Sequence, residues 1–147
     1  MIAFGASLLI ILPGVLIEVA AVPSEDDLRE LRGEVLFFNA YPTSCSSTGH
    51  LTVFGPADQI FLTAVMREKV QAGSRVVTEV IGPGLTVGPI RVNNNDRFDC
   101  LLGAEPLPWR DPGTYFVRYR YEGQPGTPDL ASGTFTITAV PVGSPRP

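Results

Sequence analysis

The sequence is poor in the residues that carry most enzymatic chemistry. Its 147 residues include one histidine, one lysine, one tryptophan and two methionines. Nucleophilic catalysis by serine or cysteine needs a neighbouring base, which is usually histidine. The single histidine, His50, follows Ser46 and Ser47 closely, but residues three or four apart in a loop have no fixed mutual geometry. We therefore predict no catalytic residue and expect the chain not to be an enzyme.

Patterns for phosphate, metal and paired-carboxylate sites are also missing. The segment 82–84 lacks the following helix and lysine of a phosphate-binding loop. The acidic residues are scattered, without the pairing that glycoside hydrolysis requires. The run 93–96, with Asp99 nearby, lacks the spacing of a dedicated calcium loop, so an asparagine-rich turn is favoured. No cofactor and no metal site are predicted.

The formal net charge of −4 argues against general nucleic-acid binding, which requires a basic face. With 44% hydrophobic and 18% charged residues, the composition is that of one globular domain. No Asn-x-Ser/Thr sequence occurs, so no N-glycosylation is predicted.

The N-terminal segment 1–23 is apolar, with no charged side chain before Glu18. We expect it to form a helix that serves either as an export signal cleaved near Ala21 or as a retained membrane anchor. A buried core helix is the third alternative. The next segment, 24–33, predicts a short collar helix, because Ser24 begins a capping pattern and Gly33 is a natural terminator.

Two cysteines, Cys45 and Cys100, suit an exported domain with one disulfide bond, although two unpaired buried thiols remain an alternative. A disulfide between these two cysteines, which are 55 positions apart, would stabilise the fold by about 4 kcal/mol. These features predict an extracytoplasmic location, either secreted or periplasmic, or membrane-anchored with the β domain outside the cytoplasm.

From Gly33 onward, short apolar or alternating runs are separated by proline and glycine, a pattern typical of sandwiches and barrels. The domain spans 34–140, and a Pro/Gly/Ser-rich tail, 141–147, is expected to be flexible. The predicted strands are 34–40, 50–54, 59–67, 75–81, 89–93, 97–102, 114–122 and 133–140. Alternation directs Tyr115, Val117 and Tyr119 inward, towards a core between two sheets.

The segment Asp111-Pro112-Gly113-Thr114-Tyr115 resembles the turn that opens strand F of immunoglobulin-like domains. The resemblance implies that Tyr115 forms a tyrosine corner, its hydroxyl bonding to nearby backbone, with Asp111 and Gly113 shaping the turn. The cysteine of the family pattern is replaced by Val117, and its core tryptophan is missing. At superfamily level the chain therefore resembles immunoglobulin-like or fibronectin type III-like domains, which implies an antiparallel β-sandwich of seven to eight strands.

The closing strands also resemble those of periplasmic copper-carrier sandwiches. Those proteins bind copper through several histidines or methionines, whereas this chain offers only His50, and Met1 and Met66 do not suit such a site. A copper carrier is therefore the weaker alternative.

A surface is the remaining candidate for function. Phe116, Arg118 and Arg120 lie on the predicted outer side of one strand, and Trp109 and Arg110 lie in the loop before it. These residue types are enriched where proteins meet. The alternative is that Phe116 and the arginine stems cover apolar surface within the domain. We expect a non-enzymatic structural or protein-binding module, as an accessory subunit of a membrane or cell-surface assembly, with a secreted carbohydrate- or ligand-binding module as the alternative.

Overall fold

The computed structural model describes the backbone of residues 8–11 and 16–21 and the whole of residues 29–103, 105–124 and 126–140. These residues are almost entirely in strands, turns and loops. The strands are β1 Leu8–Ile11, β2 Leu16–Ala21, β3 Val35–Phe38, β4 Val53–Phe54, β5 Phe61–Val70, β6 Val76–Gly82, β7 Leu85–Val92, β8 Phe98–Gly103, β9 Gly113–Tyr121 and β10 Ala131–Ile137.

The strands form two sheets that pack face to face. Sheet A has the order β1-β2-β8-β5-β3, and sheet B has the order β4-β10-β9-β6-β7. Neighbours are antiparallel except β4, which runs parallel to β10. The predicted all-β, two-sheet architecture is confirmed, and each of the eight predicted strands overlaps one of β3 to β10.

The core lies between the sheets and follows the alternation of the sequence. Tyr115, Val117 and Tyr119 of β9 are buried, and β5 contributes Leu62 and Met66 from the opposite sheet. Aromatic rings fill the centre: Phe135 stacks on Tyr115 with ring centroids 4.9 Å apart. Alternate side chains therefore decide which residues of sheet B reach the outer surface.

The expected N-terminal helix is not supported. Leu8–Ile11 and Leu16–Ala21 pair as antiparallel strands, and β2 also pairs with β8. The physical reason is that a short apolar run does not distinguish strand from helix by periodicity, and Pro13-Gly14 interrupts this one. The rest of 1–23 lies outside the described residues, as does the tail, 141–147. In the part of the chain that the structure describes, no helix is long and apolar enough to span a membrane.

The predicted collar helix is described only from Arg29 onward. Residues 29–31 are helical, and Gly33 follows with a positive φ of 89°, the conformation of a helix-terminating glycine. The amide of Gly33 donates to the carbonyl of Val65 at 2.9 Å. This turn therefore lies against β5, where Leu31 packs on a small cluster around the cysteines.

Cys45 and Cys100 form the predicted disulfide, which joins the loop after β3 to strand β8 across 55 positions. The two cysteines pack with Val65 and Leu102 in a cluster on the outer side of sheet A, and all four residues are buried. The disulfide is confirmed, and it is consistent with an oxidising, extracytoplasmic environment.

Candidate functional site

The start of β9 is held in place by Tyr115. Its hydroxyl donates a 2.7 Å hydrogen bond to the carbonyl oxygen of Asp111. Gly113 has a φ of 136°, and a side chain there would collide with Pro83. Burial, and then the Asp111 carboxylate, raise the pKa of Tyr115 above its usual value. The turn therefore fixes the register of β9 and with it the side chains that β9 presents outward.

The outward side chains of β9 lie beside those of β6. Phe116 pairs with Ile81, Arg118 with Glu79, and Arg120 with Val77. Phe116 and both arginines are partly exposed. The structure thus brings Phe116, Arg118 and Arg120 together on one surface, which we call the sheet B face.

Glu79 organises the centre of the sheet B face. It is only 9% exposed, and one of its oxygens, Oε1, accepts from Nε of Arg120 at 2.7 Å and lies 3.2 Å from Nη2 of Arg118 in an ion pair. A carboxylate with so little water around it requires such partners, since a buried charge without them is costly. Both guanidinium groups are therefore held against the sheet, while part of each remains exposed to solvent.

Trp109 and Arg110 have different surroundings from the three β9 residues. Trp109 is partly buried and packs against the core between the sheets. Arg110 is exposed, and its Nη1 donates to the carbonyl of Asp58 in the turn before β5. Trp109 therefore anchors its loop to the core, and Arg110 links that loop to the turn before β5. The predicted five-residue surface is thus divided between the sheet B face and the β8–β9 loop.

Sequence reasoning missed the aliphatic part of the sheet B face. Ile81 is 43% exposed beside Phe116, and Val53 of the edge strand β4 is 45% exposed. Four of the six residues 76–81 are apolar, and they fall on both sides of the strand, which conceals the alternation. The feature of the sequence that could have revealed this apolar surface was Glu79. A carboxylate is expected to point outward, and residues two positions away, such as Ile81, then point to the same side of the strand.

His50 does not form a catalytic pair with the neighbouring serines. Its Nδ1 is buried without a hydrogen-bond partner, and its ring packs edge-on against Phe38. The hydroxyl of Ser46 instead bonds the hydroxyl of Thr48 at 3.0 Å. The contact that the structure shows for His50 is therefore a packing contact with Phe38.

The asparagine-rich segment and its nearby carboxylate are held by protein groups. Asn94 is buried, and its Nδ2 donates to the carbonyl of Gln71. Asp99 accepts from Nη1 of Arg32 at 2.9 Å and lies 3.7 Å from Nζ of Lys69. Within the described ranges, no group of three or more His, Cys, Asp or Glu side chains could hold a metal ion.

Comparisons with known proteins do not place this chain in a family. No family model matches the sequence, and searches of curated proteins and of solved structures found no match. The functional argument therefore depends on the geometry of the fold and of its surfaces.

Proposed function

We propose that this chain is an exported, non-enzymatic module of the immunoglobulin-like or fibronectin type III-like type that binds another protein through the sheet B face. The role that fits such a module is that of an accessory subunit in a membrane or cell-surface assembly. Strand order, the disulfide and the contrast between the two outer faces support the proposal.

The strand order supports the immunoglobulin-like assignment. β3, β5 and β8 correspond to strands A, B and E of that fold, and β10, β9, β6 and β7 to G, F, C and C′. The hydrogen bond from Tyr115 to Asp111 occurs at the start of the strand that corresponds to F. The departures are the disulfide, which joins the loop after β3 to β8, and Val117 in place of a cysteine.

Export is supported by the Cys45–Cys100 disulfide, since such bonds persist in oxidising compartments. We also propose that the apolar segment 1–23 directs export, either as a signal or as a membrane anchor. The strands at 8–11 and 16–21 extend sheet A beside β8, an arrangement that requires these residues to stay with the domain.

The observation that carries the binding proposal is the pair formed by the partly exposed Phe116 and the exposed Ile81, beside Arg118. An aromatic ring, an aliphatic side chain and a guanidinium lie next to one another on a regular sheet surface. Aromatic residues and arginine are enriched at protein interfaces, whose centres are apolar. The opposite outer face, that of sheet A, is covered by the loop after β3, which the disulfide holds in place. The sheet B face is therefore the better candidate for binding a partner.

The alternative of a sugar-binding module with an aromatic platform has less support. Among the described side chains, the most exposed aromatic ring is Tyr41, which packs against Phe61. The copper-carrier alternative has only His50 to offer, and that ring packs against Phe38. Neither arrangement favours these functions over protein binding.

Photo-crosslinking in the organism that encodes the chain tests the proposal. A benzophenone amino acid replaces Phe116, and a matched variant carries it in place of Tyr41, an exposed aromatic on the other side of the sandwich. We expect one discrete crosslinked protein at Phe116, none at Tyr41, and loss of the product when Ile81→Asp is added. Equal crosslinking at both positions, or none at Phe116, would contradict the proposal.

A further inference from the structure

Three arginines surround one carboxylate at the end of sheet B away from Phe116. Glu122 accepts from Nη2 of Arg91 at 2.6 Å, and Nη1 of Arg75 lies 3.9 Å from the same oxygen. Arg120 is close enough to add to the positive potential at Glu122. We call Arg75, Arg91, Arg120 and Glu122 the arginine end of sheet B.

The arginine end carries positive charge beyond what its own carboxylates neutralise. Among the described side chains, the ion pairs on the outer face of sheet B join four arginines (75, 91, 118 and 120) to two glutamates (79 and 122), an excess of two positive charges within this group on a chain of net charge −4. The hydrogen bond from Arg91 is the main cause that lowers the pKa of Glu122, so this carboxylate stays ionised at neutral pH. The excess is therefore present under physiological conditions.

The guanidinium groups at this end remain available to a ligand. The side chains of Arg75 and Arg91 are 73% and 58% exposed. Ion pairs so open to water contribute little stability and are easily shared or exchanged. Each guanidinium offers five N–H donors in a fork that matches a carboxylate or sulfate, and Glu122 uses few of them.

A cleft of about 580 Å³ lies directly beside these arginines. Its lining residues are Gly73, Ser74, Arg75, Arg91, Val92, Asn93, Asn94 and Asn95. Asn94 connects the two turns that form the cleft: its Nδ2 donates to Gln71, and its carbonyl accepts from the amide of Gly73, both at 2.9 Å. The cleft is thus pre-formed rather than left to two independent loops, which reduces the entropic cost of binding.

The lining favours a hydroxyl-rich ligand over a peptide. Asparagine amides and a serine hydroxyl both donate and accept, as sugar hydroxyls do, and Val92 is buried, so it offers no apolar anchor. A peptide could instead extend the sheet at its edge strand β7, but Pro89 in the middle of β7 has no N–H to donate. We propose that the arginine end and its cleft bind an acidic polysaccharide through the carboxylate or sulfate groups of its sugars.

Calorimetry on the purified full chain tests this site with defined probes. The probes are hexagalacturonate, its full methyl ester, a sulfated neutral hexasaccharide and hexaglutamate. We expect hexagalacturonate or the sulfated sugar to bind, the uncharged ester to bind at least about tenfold more weakly, and added salt to weaken the binding. The two charged sugars distinguish carboxylate from sulfate as the recognised group.

Two arginine variants show whether the binding occurs at the proposed place. Arg91→Ala should weaken binding about tenfold, and Arg75→Ala/Arg91→Ala should abolish it, with thermal unfolding confirming that both variants fold. Arg110→Ala removes another exposed arginine, in the β8–β9 loop and outside the arginine end, and should leave affinity unchanged. The proposal is overturned by equal binding of the ester, by hexaglutamate binding as tightly as the sugars, by equal loss in Arg110→Ala, or by no binding of any charged sugar. Arg120 belongs to both surfaces, but the calorimetry changes Arg75 and Arg91 and the crosslinking changes Phe116 and Ile81, so a failure of one test is distinguishable from a failure of the other.

Discussion

The two outer faces of the sandwich differ in what covers them. On sheet A, Phe38, Val65 and Leu102 point away from the core between the sheets, yet all three are buried, and the loop after β3 is tied over this side by the disulfide. On sheet B, the corresponding outer side carries Glu79 with its arginines and the exposed Ile81. One outer face is therefore a second small core, and the other is a surface.

The difference is visible in the two strand sequences. In β5, residues 61–66 are buried on both sides of the strand, so the run is almost continuously apolar. In β9, buried and partly exposed residues alternate. A strand with two apolar sides needs a covering on each, whereas an alternating strand leaves one side for solvent or for a partner. On the outer side of β5, the loop after β3 provides this covering, and the disulfide of Cys45 holds the loop there.

The largest expected effect comes from removing that link. Cys45→Ala/Cys100→Ala should lower the free energy of unfolding by about 4 kcal/mol, because the unfolded chain gains the freedom of a 55-residue loop. Urea unfolding of the variant, and of the wild-type protein with and without reductant, measures the change. An unfolding midpoint that is insensitive to reductant would show that the loop covers sheet A without the bond.

A matched pair of phenylalanines compares the two faces directly. Phe38 on the outer side of sheet A is 6% exposed, while Phe116 on the sheet B face is partly exposed. Phe38→Ala should lower the free energy of unfolding by about 3 kcal/mol, since it leaves a cavity beneath the loop. Phe116→Ala should cost no more than about 1 kcal/mol. Similar costs in urea unfolding of the two variants would erase the distinction between a covered and an open face.

The carboxylate at the centre of the sheet B face should matter more than an ordinary surface charge. Glu79→Gln should lower the free energy of unfolding by about 2 kcal/mol, because Arg118 and Arg120 lose a charged acceptor in a partly buried position. Glu68→Gln removes a more exposed partner of Arg67 and should change stability by less than about 0.5 kcal/mol. Thermal unfolding of the two variants at low and high salt measures both losses of stability. If Glu79→Gln lowers stability as little as Glu68→Gln does, Glu79 has no structural role in the sheet B face.

The turn that opens β9 should contribute less to stability than Glu79 does. Tyr115→Phe removes the hydrogen bond to Asp111 and should lower the free energy of unfolding by about 1 kcal/mol at neutral pH.

The same tyrosine should also make stability depend on alkaline pH. Because the folded-state pKa of Tyr115 is raised, its contribution is complete below the unfolded pKa of about 10 and is lost as pH rises through the folded value. Tyr121, whose pKa is raised by burial and then by Glu68, adds to this loss and remains in the variant. Urea unfolding across alkaline pH should therefore show a smaller decline for Tyr115→Phe, and equal declines would place the Tyr115 phenol in water.

The positions of the strands along the chain and the β9 residues facing the core could be predicted because alternation and turn residues are local properties of the chain. The eight strands β3 to β10 and the inward side chains of β9 follow from them. The structure of the segment 1–23 could not be predicted in the same way, because an apolar run is equally compatible with a helical signal or anchor and with a pair of short strands. Its pairing with β8 depends on a strand about 80 positions away.

The all-β class, the pairing of Cys45 with Cys100 and the outward side of β9 were predictable without coordinates, since period-two patterning and the number of cysteines are local or compositional properties. The contacts of Glu79 with Arg118 and Arg120, the packing of Trp109 against the core, and the meeting of Arg75 and Arg91 at Glu122 became visible in the folded chain. Those contacts join residues that are tens of positions apart in the sequence. The register between paired strands brings them together, and the pattern within one strand does not specify its register with a partner strand.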